Sequence, residues 1–117
     1  MATYTKVLLS GSTNGKHIKI AATSGTGTLI HTATSGTTNL DEVWLYAINE
    51  YTSAIVLTLQ WGGTTAVDHT VTVSIPATSG LQLIMPGILL QNSLEIRAYA
   101  ATANQVLITG FVNRIAP

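Results

Sequence analysis

Along this chain apolar residues alternate with threonine and serine, and glycine or asparagine interrupts the pattern about every ten residues, a rhythm that predicts short β-strands joined by turns. No stretch holds a helical period. The first run, Tyr4 to Ser10, passes through Gly11-Ser12-Thr13-Asn14-Gly15 into a second, Lys16 to Ala22. Asn14-Gly15 supplies the positive-φ pair of a tight turn, so the two runs are expected to form a hairpin. Thr28 to Ala33 lies between two loops, 23–27 and 34–38, that are rich in Thr, Ser and Gly.

Glu42 to Glu50 is the most apolar segment. Read as a strand, it sends Val43, Leu45 and Ala47 to one face and Trp44, Tyr46 and Ile48 to the other. Ala54 to Trp61 alternates cleanly, with Ile55, Leu57, Leu59 and Trp61 inward and Thr58 and Gln60 toward water. After the Gly62-Gly63-Thr64-Thr65 turn, Val67 to Ile75 repeats the device with Val67, His69, Val71, Val73 and Ile75 inward, which predicts a hairpin with the preceding strand. Pro76 and Pro86 bracket Leu81 to Met85; proline cannot donate to a ladder, so this strand belongs at an edge or a crossover. Leu94 to Ala100 and Gln105 to Asn113 complete the set. The last is again two-faced, with Val106, Ile108 and Val112 opposed to Leu107, Thr109 and Phe111. About eight short strands with two apolar layers predict a single antiparallel β-sandwich over 1–117, jelly-roll-like or, as second choice, immunoglobulin-like, with 1–12 as an N-terminal arm or edge strand.

Composition narrows the function. Only 9% of the 117 residues are charged, against about 25% in an ordinary soluble domain. Such a surface is prone to association, and five basic residues against five acidic ones offer no net field for a phosphate backbone. Nucleic-acid binding is not expected. The absence of cysteine excludes disulfides and thiolate metal sites. No apolar stretch reaches the length of a membrane span or of a signal-peptide core, so a soluble protein without a membrane partner is expected.

Catalytic patterns fail on spacing. Gly11-Ser12-Thr13-Asn14-Gly15-Lys16-His17 has three residues between its glycines, where a phosphate loop has four, and it leads into a strand. His17, His31 and His69 are too far apart in sequence for a local metal site, which leaves only a site assembled in space around His69 and Asp68. Asp41 and Glu42 are adjacent, and successive strand residues face opposite sides, so they cannot act as a pair. No Gly-x-Ser-x-Gly elbow occurs. The expectation is a non-enzymatic protein with no cofactor and no metal. The second apolar face, Trp44, Tyr46, Ile48, Leu107 and Phe111, is expected to form a subunit interface, because the opposite face already supplies a core.

The run Asp41-Glu42-Val43-Trp44-Leu45-Tyr46-Ala47, then Leu57-Thr58-Leu59-Gln60-Trp61-Gly62-Gly63, Ile84-Met85-Pro86-Gly87, and the ending from Ala100-Ala101-Thr102-Ala103-Asn104 to Gly110-Phe111-Val112-Asn113-Arg114 resemble small virion structural proteins of tailed bacteriophages. The resemblance spans Leu40 to Ile115 and is carried by strand and turn residues. It implies a capsid decoration or cement protein: a compact, often trimeric β-sandwich on the capsid surface of the virion, partnered by the major capsid protein. It assigns no individual residue. The competing readings are a glycan-binding or host-recognition module of a phage fibre or tail, motivated by the aromatics, and a small jelly-roll enzyme with a histidine metal site.

Overall fold

The computed structural model describes residues 2–117 and contains, among them, nine strands and no helix. They are β1 (Thr3–Val7), β2 (Ile18–Lys19), β3 (Thr28–Thr32), β4 (Leu40–Asn49), β5 (Ile55–Trp61), β6 (Thr70–Ile75), β7 (Gln82–Leu90), β8 (Glu95–Ala100) and β9 (Val106–Ala116). Every pairing is antiparallel, and the pairings are nested. β5 and β6 form the innermost hairpin, β4 pairs with β7 around it, β3 with β8 around that, and β1 and β2 both pair with β9 outermost.

Rolling up this ladder brings β9 beside β4 and β8 beside β5. The result is two sheets, a front sheet in the order β1-β9-β4-β7 with β2 also on β9, and a back sheet in the order β3-β8-β5-β6. Counting β1 and β2 as one interrupted strand, this is the eight-stranded jelly roll. The predicted sandwich is therefore found, in its first-choice form. The core lies between the sheets: Val43, Leu45, Ala47, Val106, Ile108 and Val112 come from the front, and Ile55, Leu57, Leu59, Ile75, Ile96 and Ala98 from the back, all buried.

Four local expectations differ from the structure. The first two runs do not pair with each other; both lie along β9, and residues 8–17 between them leave the front sheet and cross to β3. Burial of Leu9 drives the crossing, and Gly11 N–H donates to the Ile30 carbonyl while Thr32 N–H donates to Ser10 Oγ. Asn14 and Gly15 do adopt positive φ, at 56° and 86°, but their turn is the tip of this crossover. Residues 3–7 are thus an edge strand and 8–12 a closing loop.

Second, β6 begins only at Thr70. His69 N–H donates to the Thr65 carbonyl in a turn, which leaves Val67 84% exposed instead of inward. Third, β7 does lie at an edge but runs straight through Pro86 to Leu90, because two register breaks opposite Val43/Trp44 and Leu45/Tyr46 absorb the interruption. Fourth, Thr58 and Gln60 are buried instead of wet. Gln60 Oε1 accepts from Gly27 N–H and its Nε2 donates to the Gly25 carbonyl, each at 2.8 Å, so loop 23–27 folds over the back sheet.

Candidate functional site

The two outer faces of the sandwich differ in kind. On the back sheet, outward positions of β5, β6 and β8 carry mostly polar residues, Thr58, Gln60, Thr70, Thr72, Ser74, Glu95 and Arg97, together with Val56 and Tyr99, and Glu95 and Arg97 pair at 3.0 Å. On the front sheet, outward positions carry Tyr4, Trp44, Tyr46, Leu107, Phe111 and Ile115, with Leu83 opposite Tyr46 and Leu89 opposite Glu42 on β7. This face holds the only phenylalanine, one of the two tryptophans and two of the four tyrosines.

Trp44, Tyr46, Leu107 and Phe111 come together there, each half-buried, while Tyr4, Leu83 and Leu89 are 70%, 51% and 48% exposed. Ile48 shares the face, opposite Leu107, but is only 8% exposed and offers little free surface. With strands about 4.8 Å apart and a rise of about 3.3 Å per residue, the face these side chains span is on the order of 400 Å², within the range of the largest apolar patch on an ordinary monomer.

The centre of the face is a row of contacts running across β1, β9, β4 and β7. Lys6 Nζ on β1 sits 4.2 Å from the centroid of the Phe111 ring on β9. Phe111 stacks on Trp44 of β4, with centroids 6.1 Å apart and planes 12° from parallel. Trp44 lies against Gly87 of β7, where an added Cβ would come within 2.8 Å of indole Cζ2. Beside the row, Glu42 Oε1 accepts from both Trp44 Nε1, at 2.9 Å, and Asn113 Nδ2, at 3.0 Å. These two bonds, with Lys6 nearby, hold the Glu42 carboxyl below its ordinary 4.5 against a smaller opposing effect of desolvation. The aromatic side chains are therefore held in place before any partner arrives, which lowers the entropy lost on binding.

A buried polar cluster closes one end of the sandwich. Asp41, fully buried, accepts from His31 Nε2 at 2.8 Å, Arg114 Nε at 2.7 Å, Arg114 Nη2 at 3.0 Å and Thr34 N–H at 3.0 Å. Ser10 N–H donates to His31 Nδ1 at 3.0 Å, which leaves Nε2 as the ring's donor. Burial pushes the Asp41 carboxyl up, but its bonds to Arg114 and His31, the Arg114 charge and the Thr34 amide together hold it below its ordinary 3.8. Reciprocally, the Asp41 bond and charge raise Arg114 against its own desolvation. Both Asp41 oxygens and both His31 nitrogens are engaged within the protein, so the cluster ties the crossover loop, β3, β4 and β9 together.

The predicted opposition of Asp41 and Glu42 is observed: the first points into the sandwich and the second out. Sequence reading passed over Arg114, yet an acid at the start of a strand whose same-face neighbours Val43 and Leu45 are core requires a buried partner. Arg114 is its cross-strand neighbour.

A cleft of about 280 Å³ opens on the side between β6 and β7, lined by Trp61, Asp68, His69, Val71, Met85 and Ile88 among others. Trp61, expected in the core, is half-buried at this rim and packs on the core from there. His69 Nδ1 is buried over Gly63 and has no hydrogen-bond partner among the described residues. His17 is exposed and His31 is engaged by Asp41, so the assembled histidine site is not formed, and no group of three potential metal ligands occurs among the described residues.

No protein family, no curated protein and no solved structure matches this chain.

Proposed function

We propose that this chain is a non-enzymatic structural subunit that cements a bacteriophage capsid by laying the outer face of its front sheet across neighbouring capsid subunits. The observation that carries the reading is the aromatic row Lys6–Phe111–Trp44–Gly87, built outside a core that is already complete. Nothing within the protomer needs Trp44, Phe111, Tyr46 and Leu107 on the water side of β4 and β9. Large aromatic side chains fixed at the centre of a patch and rimmed by Lys6, Lys19, Glu42 and Asn113 are what dominate binding energy at protein interfaces. The virion setting comes from the likeness of Leu40 to Ile115 to phage structural proteins. The mechanism is mass action: a subunit that binds only the assembled shell stabilises it without chemistry.

The glycan-binding alternative, which rests on Trp44, Tyr46 and Trp61, draws less support, because Trp44 is packed against Phe111 and Gly87 and Trp61 lies apart from it, half-buried at the rim of the side cleft.

Co-sedimentation with capsids tests the proposal. The native chain is expected to pellet with shells, Trp44→Ala and Phe111→Ala to stay largely in the supernatant, and Val56→Ser, on the exposed back face, to bind as the native chain does. Equal pelleting of all four would refute the front face as the site. Mass spectrometry of virions separates shell from tail: hundreds of copies fit the first, a handful the second.

A further inference from the structure

We infer that β6 is a pairing edge through which two copies of this chain join into one continuous back sheet. A jelly roll has four sheet edges, and an open edge is a standing invitation to pair with another strand, so proteins commonly defend them. Three are defended here. The β1/β2 edge is broken into two short pieces carrying Lys6 and Lys19. The β3 edge has a register break and is covered by the crossover loop, with Gly11 N–H on Ile30 and Ser10 Oγ on Thr32. The β7 edge contains Pro86 and two register breaks.

The β6 edge has none of these devices. Thr70-Val71-Thr72-Val73-Ser74-Ile75 holds no charge and no proline, and its register with β5 is unbroken from Ile55↔Ile75 to Gln60↔Thr70. Its alternation of β-branched and hydroxyl residues is that of a good strand former.

The backbone phase makes the edge self-complementary. Trp61 N–H donates to the His69 carbonyl, so the odd-numbered residues of β6 direct their main-chain groups to β5. The N–H and C=O groups of Thr72 and Ser74, and the C=O of Thr70, therefore point away from the sheet. An antiparallel two-fold pairing centred on Thr72 sets Thr72 against Thr72, Thr70 against Ser74 and Val71 against Val73. Four main-chain bonds then form, from the Thr72 and Ser74 N–H groups of each copy. A pairing centred on Val71 keeps only two of these bonds; one centred on Val73, which sets Thr72 against Ser74, keeps four, and in both four-bond registers the Thr72 and Ser74 N–H groups are the donors and Thr72 lies on or next to the axis.

The side chains agree. Thr–Thr and Thr–Ser are favourable cross-strand pairs on the outward face, and on the inward face Val71, 41% exposed in the protomer, gains Val73 of the second copy. Asp68 and Pro76 flank the strand and limit the contact to its length. This surface is separate from the aromatic face of the front sheet, and it gives a two-fold dimer, not the trimer that the family resemblance implies.

Sedimentation velocity over a concentration series, with hydrogen exchange at the same concentrations, is the test. The native chain should sediment as a dimer of the 12.3 kDa protomer at high concentration, with the Thr72 and Ser74 amides protected there and exchanging fast on dilution. Thr72→Pro removes an outward N–H that β5 does not use, and Thr72→Lys places a charge on or next to the pairing axis. Each should raise the dimer dissociation constant about tenfold or more. Unchanged melting of one of the two variants certifies folding, and Trp44→Ala should leave the dimer intact. A native chain that stays monomeric throughout, a dimer or trimer indifferent to both Thr72 variants, or Thr72 and Ser74 amides that exchange equally fast at all concentrations would overturn the inference.

Discussion

Trp44 and Phe111 face each other directly across the β4–β9 pair, and their rings stack with 6.1 Å between centroids on the outside of the sandwich. An aromatic pair in this position contributes less than one in the core, because water already wets part of both rings. Trp44→Ala and Phe111→Ala should each lower the unfolding free energy by about 1–2 kcal/mol, and the double-mutant cycle should give a coupling of about 0.5–1.5 kcal/mol. Urea unfolding followed by circular dichroism measures all three. A single-variant loss of about 3–5 kcal/mol, the cost of emptying a core site, would mean the pair serves the fold and not a surface.

The Asp41 cluster predicts an acid-sensitive fold. The folded carboxyl is held below 3.8, so its contribution to stability is complete above that pH and disappears as pH falls through the lower, folded value. Glu42, also held low, acts in the same direction. Stability should therefore decline as pH is lowered below about 4. Asp41→Asn should be less stable at neutral pH and should lose a smaller increment over the same acid range. For Asp41→Ala, which strands His31 Nε2 and half-exposed Arg114, a neutral-pH loss of roughly 3 kcal/mol is expected. Denaturant curves at a series of pH values decide; an Asp41→Asn variant with the native acid slope would remove the cluster as a cause.

Gln60 holds loop 23–27 over the back sheet through both ends of its amide, assisted by Arg97 Nη1, which donates to the Gly27 carbonyl. Gln60→Leu keeps the volume but leaves the buried Gly27 N–H without an acceptor, so a loss of about 2 kcal/mol is expected. Amide exchange localises it: Gly27 should speed up well before the β4–β9 ladder does. Uniform acceleration across the sheet would instead mean that the loop is integral to the core.

Much of the fold could be read from two-residue periodicity, because burial enforces it wherever a sheet has one dry face. Val43, Leu45 and Ala47 against Trp44 and Tyr46, and Val106, Ile108 and Val112 against Leu107 and Phe111, fall as alternation requires, and the co-location of those four outward residues followed from it. What alternation does not encode is partner choice. Asn14-Gly15 carries the same turn chemistry whether its flanks pair with each other or both with β9, and burial of Leu9, a long-range effect, decided the matter. Thr58 and Gln60 were misplaced for a related reason: polar alternation marks the second face of a strand but not whether a distant loop will cover it. The Asp41–Arg114 pair lies 73 positions apart and needed the β4–β9 register to be seen.

Gly87 and Gly36 offer a controlled comparison of what the front-sheet row requires. Both have positive φ, at 72° and 75°, so alanine at either site meets the same backbone penalty of roughly 1 kcal/mol. Their surroundings differ. A Cβ at Gly36 meets nothing within 4 Å, whereas at Gly87 it would press to 2.8 Å against the Trp44 indole, a rigid group backed by Phe111 and tied to Glu42. Gly36→Ala should therefore cost only the backbone term. Gly87→Ala should cost at least about 1 kcal/mol more, since either β7 or the indole must yield. Thermal melts give the difference, and tryptophan emission assigns it, because displacing Trp44 from Gly87 changes its exposure while Gly36→Ala does not. If the two variants melt together with the native emission, the indole moves aside freely, and the row is not the fixed platform that capsid binding through this face requires.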